Sequence, residues 1–402
     1  MIDVAALRSR QGGIGLSLAG GGPAGAVYEI GALMALQEAL DGVDLAALDC
    51  YVGVSAGALL CACLANGMSA RLLVQIIHGD ACGEEPFEPE IFFAPNYLEF
   101  VKRGATLPRT IAQALWYFAR RLKDRSALAS LSRATRALPL GIFDNDPIRR
   151  HLVQTFRRHG RTDDFRSLRP KLVVVATDLD AARAVCFGDA GHEHVPISLA
   201  VQASTALPGA YAPVRVDGRD CVDGVLLKTL HASVALEHGV GLLLCVNPIV
   251  PFDLRAAEQG APQADGLREH GLPSVLSQTF RTLVHSRMEI GLASYGDRYP
   301  DADVVLFEPR RDDCTMFFRN MFNLSARREV CSLAYHATRR DLRARAAELE
   351  PVLARHGVRL RMDVLEDDRC AVWSEAESQS GSDDAPVRRE RSGQRRAPGA
   401  SR

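Results

Sequence analysis

The chain has 402 residues, 47% hydrophobic and 24% charged, with a formal net charge of −1. That length supports a large buried core, as one α/β domain or two smaller ones, and the near-neutral balance creates no global field that would recruit nucleic acid or an anionic membrane. Ten cysteines occur without a C-x-x-C pair, several inside apolar runs (Cys50, Cys61, Cys63, Cys186, Cys245), which suggests buried free thiols in a reducing compartment rather than a zinc knuckle or a disulfide framework.

The opening stretch, MIDVAALRSRQGGIGLSLAGGG, has no apolar core behind a basic start, and no run reaches 18 apolar residues. The expectation is a cytoplasmic chain with neither signal peptide nor membrane span. Residues 14–19 (IGLSLA) read as a strand that stops at Gly20-Gly21-Gly22. A helix comes next, with Val27, Ile30, Leu33, Met34, Leu36 and Leu40 at helical spacing. The pattern then repeats: LDCYVGV is a strand, and AGALLCACLANG is a buried helix ending at Asn66-Gly67. Two strand–helix units in tandem predict a mainly parallel sheet flanked by helices.

Residues 80–141 interrupt this rhythm as an insertion. Within it, 107–125 (LPRTIAQALWYFARRLKDR) puts Ile111, Leu115, Phe118 and Leu122 on one helical face, with five basic residues against one acid. Such a helix can lie on a membrane surface or cover a site as a lid; the commoner arrangement is an amphipathic helix packed on the domain. A helix resumes at FDNDPIRRHLVQTF, with Asp146 as cap and Pro147 in the first turn. KLVVVATDL (171–179) is a buried strand, and another lies around Val185-Cys186-Phe187. PISLAVQASTALPGAY reads as a helix ending before Pro208, and APVRVDGRDCVDG as a hairpin turning at Asp217-Gly218. VGLLLCVN (240–247) and DVVLFEP (303–309) are further strands, and helical patterns cover 272–296 and 325–356. The tail, 374–402, is acidic first and basic last, and reads as disordered.

Gly53-Val54-Ser55-Ala56-Gly57 sits where a strand ends and a helix begins. Glycines on both sides permit the sharp turn of a nucleophile elbow, which lifts the serine hydroxyl to a helix N-terminus. The plainer alternative is a serine N-cap in an ordinary turn. The loop AGGGPAG offers backbone N–H groups that can converge on one oxygen, with Gly21 and Gly22 as candidate donors and Pro23 excluded for want of an N–H. The same loop, Gly20 to Gly25, satisfies the G-x-G-x-x-G dinucleotide fingerprint. That fingerprint requires an acidic residue closing the second strand, where this chain has Ser55. None of His192, His194, His231 and His285 sits in a convincing strand-end loop. Asp223-Gly224, at the end of the hairpin's return strand, does. Asp217-Gly218 serves as the hairpin's own turn, which leaves Asp223 for chemistry. Asp178 and Asp180 end a strand and cap the turn beyond it, with no role assigned.

Together these features resemble the patatin-like phospholipase family, lipid acyl hydrolases with a serine–aspartate dyad in a three-layer α/β/α fold. The likeness covers about residues 12–250. It rests on the glycine loop (20–25), Gly53-Val54-Ser55-Ala56-Gly57, ATDLD (176–180), ASTALPGAYAPV (203–214) and Asp223-Gly224. The resemblance implies Ser55 as nucleophile, Asp223 as proton acceptor and an oxyanion hole from the backbone of Gly20, Gly21 and Gly22. Gly25, Gly53, Gly57 and Gly224 are then structural members of the motifs. Two departures stand out: Ala24 occupies the place of the family's usual arginine, and Asp223-Gly224 is followed by Val225 rather than Gly or Ala. The resemblance implies a lipid ester substrate, no cofactor and no metal, and no nucleic-acid partner; peripheral membrane contact would run through 107–125. The corresponding organisation is a catalytic domain at 12–250 containing the 80–141 insertion, an α-helical extension at 251–370 and the tail. A dinucleotide-binding protein and a catalytically weak lipid-binding module remain as alternatives.

Overall fold

The computed structural model describes residues 12–79, 81, 83–84, 86, 88–96, 139–158, 160–254, 267, 269, 271–313, 321–367 and 372. The helix expected at 107–125, most of the 80–141 insertion and the tail lie outside the described residues. Contacts divide the chain into Met1–Val372 and Trp373–Arg402, and every element below belongs to the first unit.

In chain order the elements are β1 (Gly13–Leu18), α1 (Gly22–Ala39), β2 (Leu40–Asp41), β3 (Cys50–Val54), α2 (Ala56–Ala65) and α3 (Ala70–His78). Then come β4 (Gly141–Phe143), α4 (Asp146–Phe156), β5 (Lys171–Asp178), β6 (Arg183–Phe187), α5 (Ile197–Ser204), β7 (Gly209–Tyr211), β8 (Val214–Val216) and β9 (Arg219–Asp223). The chain continues with α6 (Ala232–Glu237), β10 (Val240–Val246), α7 (Gly271–Ala293), α8 (Tyr295–Arg298), β11 (Asp303–Phe307), α9 (Leu324–Ala344), α10 (Ala346–Ala354), β12 (Arg359–Leu360) and α11 (Met362–Glu366).

The central sheet runs β11-β10-β1-β3-β5-β9-β8, with β6 also paired to β5. From β11 to β5 every pairing is parallel. The parallel strands β3 and β10 are buried along their whole length, as expected of strands covered on both faces. The β8–β9 hairpin turns at Asp217-Gly218, both at positive φ (49° and 81°), as a type I′ turn demands. The seven described cysteines are free thiols, six of them buried. No helix among the described residues is long and apolar enough to cross a membrane.

The register around β5 positions the site. Its residues 171–175 pair with β3, ending at Val54 against Val175. Residues 174–178 pair with β6, which therefore occupies the opposite edge. From Ala176 onward, β9 takes over the edge that β3 has left, with Asp223 opposite Ala176. The last residue of β3 and the last residue of β9 thus meet head to head along one edge of β5.

Three local expectations need correction. Asp146 is the first residue of α4, and the N-cap is Asn145, which makes no side-chain capping bond. Asp144 takes the capping part instead, accepting the Asp146 N–H at 2.9 Å. The pattern at 325–356 is two helices, broken at Arg345 (φ −99°, ψ 12°). The pattern at 272–296 ends at Ala293, before the short α8. Two small pairings escaped the sequence: β2 with β12, and β4 with β7. Each strand in them has only two or three residues, too few for a period to show.

Helix α1 is buried at every residue from Gly25 to Leu36, with α9 packed against it. The two come close at Gly31, where an added Cβ would stand 2.2 Å from the Cys331 carbonyl oxygen and 3.0 Å from the Ala334 Cβ. Gly31→Ala is expected to cost about 1–3 kcal/mol of stability through overpacking, read as a lower urea midpoint. An unchanged midpoint would show that α9 does not pack on α1 this tightly.

Candidate active site

Ser55 joins β3 to α2 in a conformation that residues with a Cβ rarely adopt (φ 55°, ψ −123°). Its N–H donates to the Ser204 hydroxyl at 2.8 Å, and that hydroxyl donates to the Val175 carbonyl at 2.6 Å. The turn is thereby tied to α5 and to β5 at once. The glycines on either side are required by close approach. A Cβ on Gly57 would stand 2.3 Å from the Ala19 oxygen, which accepts the Gly57 N–H at 2.9 Å, and one on Gly53 would stand 2.4 Å from the Ala58 Cα.

The loop after β1 lies against this turn. A Cβ on Gly20 would come within 2.9 Å of the Ser55 Cβ. Gly21 (φ 141°) is the N-cap of α1 and Gly22 (φ 61°) its first residue, so the loop enters the helix through two positive-φ positions. The Gly25 N–H donates to the Gly21 carbonyl, closing the first turn. Gly21, Gly22 and Ala56 share a cavity with Ser55. The first N–H groups of a helix lack intrahelical acceptors, so α1 and α2 both begin at this cavity with donors directed out of the helix.

Asp223 ends β9 and is buried. Its N–H donates to the Ala206 carbonyl, its carbonyl accepts the Thr177 hydroxyl, and its carboxylate accepts the Val225 N–H at 3.0 Å. Beyond it, a Cβ on Gly224 would stand 2.4 Å from the Val175 oxygen and 3.2 Å from the Val54 Cγ1, so the chain after the aspartate lies close against β5 and the end of β3. Burial raises its pKa from 3.8 to about 7, opposed by hydrogen bonds from the Val225 N–H and the Ser55 side chain. The hydroxyl and the carboxyl that sequence reasoning singled out are therefore brought together. A carboxyl with this pKa is an acceptor matched to neutral pH, far stronger than an aspartate in water.

Among the described residues no histidine lines the cavity that holds this pair. His231 is buried with its Nε2 3.1 Å from the Gly224 carbonyl, and burial pushes its pKa down to about 4, so the ring is neutral. Asp178 accepts the Asp180 and Ala181 N–H groups and caps the turn after β5. Among the described residues no cluster of His, Cys, Asp or Glu side chains is arranged to hold a metal ion.

The cavity holding Ser55 and Asp223 has a volume of about 260 Å³. Phe92, Phe93, Phe143, Tyr211, Ile249 and Phe280 give it a predominantly apolar wall. Its aromatic side joins the β4–β7 pair to the segment at Phe92 and Phe93: Phe93 stacks edge-on to Phe143 at 5.4 Å, and the Tyr211 hydroxyl donates to the Phe92 carbonyl. Phe280 and Arg281 come from α7. Sequence reasoning missed Ser204, which the ASTALPGAYAPV segment contained without indicating its role. It also missed Arg281, which sits in a helical pattern with no motif around it.

The chain matches the family model described as patatin-like phospholipase over residues 16–236, more than half its length. It belongs to the patatin-like phospholipase family, and its function is of the phospholipase type. Among solved structures it is similar to VipD from Legionella pneumophila, at 16% identity over 83% of this chain and 67% of that one, with a TM-score of 0.37. It is also similar to the structure of the ExoU–SpcU complex from the type III secretion system of Pseudomonas aeruginosa, at 16% identity over 92% of this chain and 67% of that one, with a TM-score of 0.25.

The raised pKa of Asp223 carries a stability consequence. The fold favours the protonated carboxyl, so its contribution is full below the unfolded value near 3.8 and is lost as pH climbs through about 7. Between pH 4 and 8, wild type is expected to lose roughly 4 kcal/mol more unfolding free energy than Asp223→Asn. Equal pH dependence of the two chemical-denaturation curves would show that Asp223 is not desolvated as the cavity implies.

Proposed function

We propose that the chain is a serine hydrolase that cleaves fatty-acyl ester bonds of lipids through a Ser55–Asp223 dyad. The observation that carries this reading is the meeting of a strained, glycine-flanked serine and a buried carboxylate with a near-neutral pKa at the head of an apolar cavity. Family membership supports lipid esters over a dinucleotide as the ligand.

In the proposed mechanism Asp223 accepts the Ser55 hydroxyl proton as the oxygen attacks the ester carbonyl. The developing oxyanion is held by backbone N–H groups of the Gly20–Gly22 loop, with the Ala56 N–H at the start of α2 as a further donor. The leaving alcohol takes the proton from Asp223, and an acyl-enzyme remains on Ser55. Water then attacks it, gives its proton to Asp223, and the fatty acid leaves as Ser55 recovers its hydrogen. The aromatic wall accommodates the acyl chain and keeps the carboxyl desolvated. Residues 12–250 form the catalytic domain in this reading, with 251–370 an extension packed on it and 107–125 a route to peripheral membrane contact.

Labelling with a fluorophosphonate probe tests the nucleophile: wild type should label and Ser55→Ala should not. Labelling that persists in Ser55→Ala rejects the assignment. Hydrolysis of a fatty-acyl ester should fall by about 10³-fold or more in Ser55→Ala and in Asp223→Asn. With Asp223 as base, kcat/KM should rise with pH through a single ionisation near 7, reaching a plateau once the carboxyl is ionised. A profile flat from pH 5 to 9 would remove Asp223 from the role of base. Since proton acceptor and oxyanion donors both come from the chain, activity is expected to survive EDTA; its loss would argue against a metal-free dyad.

A further inference from the structure

Arg281 is the one basic residue among the described residues that line the Ser55–Asp223 cavity. It comes from α7, far beyond the segment that matches the family, and shares one helical face with Ser277 and Phe280, which line the same cavity. The guanidinium is held in place. Its Nη1 donates to the Pro248 and Val250 carbonyls at 3.3 and 3.4 Å, and its carbon lies 4.9 Å from the centre of the Phe252 ring. That segment is itself tied to α7, because Gln278 donates to the Phe252 carbonyl and accepts the Phe252 N–H.

The same segment touches the catalytic loop. The Pro248 ring lies where side chains on Gly21 and Gly25 would be, 3.1 and 3.2 Å from the Cβ positions they lack. A chain of contacts therefore runs from the oxyanion loop through Pro248 to the guanidinium. Ala24 leaves the loop itself without a cation. Desolvation pushes the Arg281 pKa down to about 10, still charged at neutral pH. A preorganised, poorly hydrated guanidinium on a predominantly apolar wall is suited to binding an oxyanion, because its planar fork matches phosphate and carboxylate oxygens.

We propose that Arg281, pinned to Pro248 and facing the Ser55 cavity, is an anion-binding subsite that takes a phosphate or carboxylate carried by the lipid. The proposal rests on the lipid-ester reading above and adds substrate selectivity to it. Such an anion has two sources, the phosphate of a phospholipid headgroup and the carboxylate of a released fatty acid, and they are separable by experiment.

The test is equilibrium binding to the full chain carrying Ser55→Ala, which removes turnover from the measurement. Three ligands are compared by calorimetry: dihexanoyl phosphatidate, dihexanoylglycerol and oleate. A phosphate site predicts that phosphatidate binds at least about tenfold tighter than dihexanoylglycerol, and that adding Arg281→Gln collapses this preference to about twofold or less. A carboxylate site predicts instead that oleate binding weakens about tenfold in Arg281→Gln, with the phosphatidate preference absent or unaltered. Arg281→Lys keeps the charge but not the fork and should retain part of whichever preference is found, which separates loss of a cation from loss of packing. If Arg281→Gln does not fold, the comparison is made without it: no preference for phosphatidate over dihexanoylglycerol, together with no oleate binding, overturns the proposal. Unaltered binding of both anions in a folded Arg281→Gln overturns it equally. Because turnover is absent, these outcomes are independent of fluorophosphonate labelling, whose failure would strike the hydrolase reading alone.

Discussion

One strand edge governs the arrangement of this protein. The β5 edge is occupied by β3 as far as Val175 and by β9 from Ala176, so the ends of two strands distant in sequence are forced to abut. Whatever residues occupy those ends must meet, and here they are Ser55, just past Val54, and Asp223. The hydrogen bonds of the sheet thus do the positioning, and no long flexible side chain has to reach across a gap. The Ser204 hydroxyl, bridging the Ser55 N–H to the Val175 carbonyl, locks the junction from the helix side. Positioning by backbone register is what the proposed dyad would need for catalysis by proximity.

The second constraint is how closely the backbone segments approach at the site. The β1 end, the Ser55 turn and the start of α2 are near enough that glycine is needed where Gly57 meets the Ala19 oxygen. That crowding keeps the turn at a positive φ and brings two helix N-termini to the same cavity. Backbone strain at Ser55 is of order 1–3 kcal/mol, and the surrounding sheet and helices over-determine the conformation. The consequence is a serine that lines the same cavity as the first residues of both helices.

The cavity also carries two buried ionisable groups of opposite kind. Asp223 is desolvated, which makes it a competent acceptor near neutral pH. Arg281 carries the opposite charge, is likewise desolvated, and is held by carbonyls and an aromatic ring. Both depend on the same apolar wall, since water in the cavity would return each to its ordinary pKa. The wall draws on β4, β7, the segment after β10 and α7, so parts of the chain outside the family match complete the environment of the pair inside it.

Much of the fold was legible from local signals. Apolar runs stopped by glycine marked β1 and β3, Asp217-Gly218 marked the hairpin, and the serine motif at a strand-to-helix junction marked the turn. These are short-range facts, encoded in periodicity and in the backbone freedom of particular residues. The cap of α4, the break at Arg345 and the two- and three-residue strands were not legible, because competing neighbours and tertiary pairing decide them. A serine turn, a glycine loop and an Asp-Gly strand end could each be read from the residues alone. That Asp223 follows Val54 along β5, that burial retunes its acidity, and that Arg281 enters the same cavity emerged only in the folded chain, because register and desolvation depend on contacts between segments that no local pattern records.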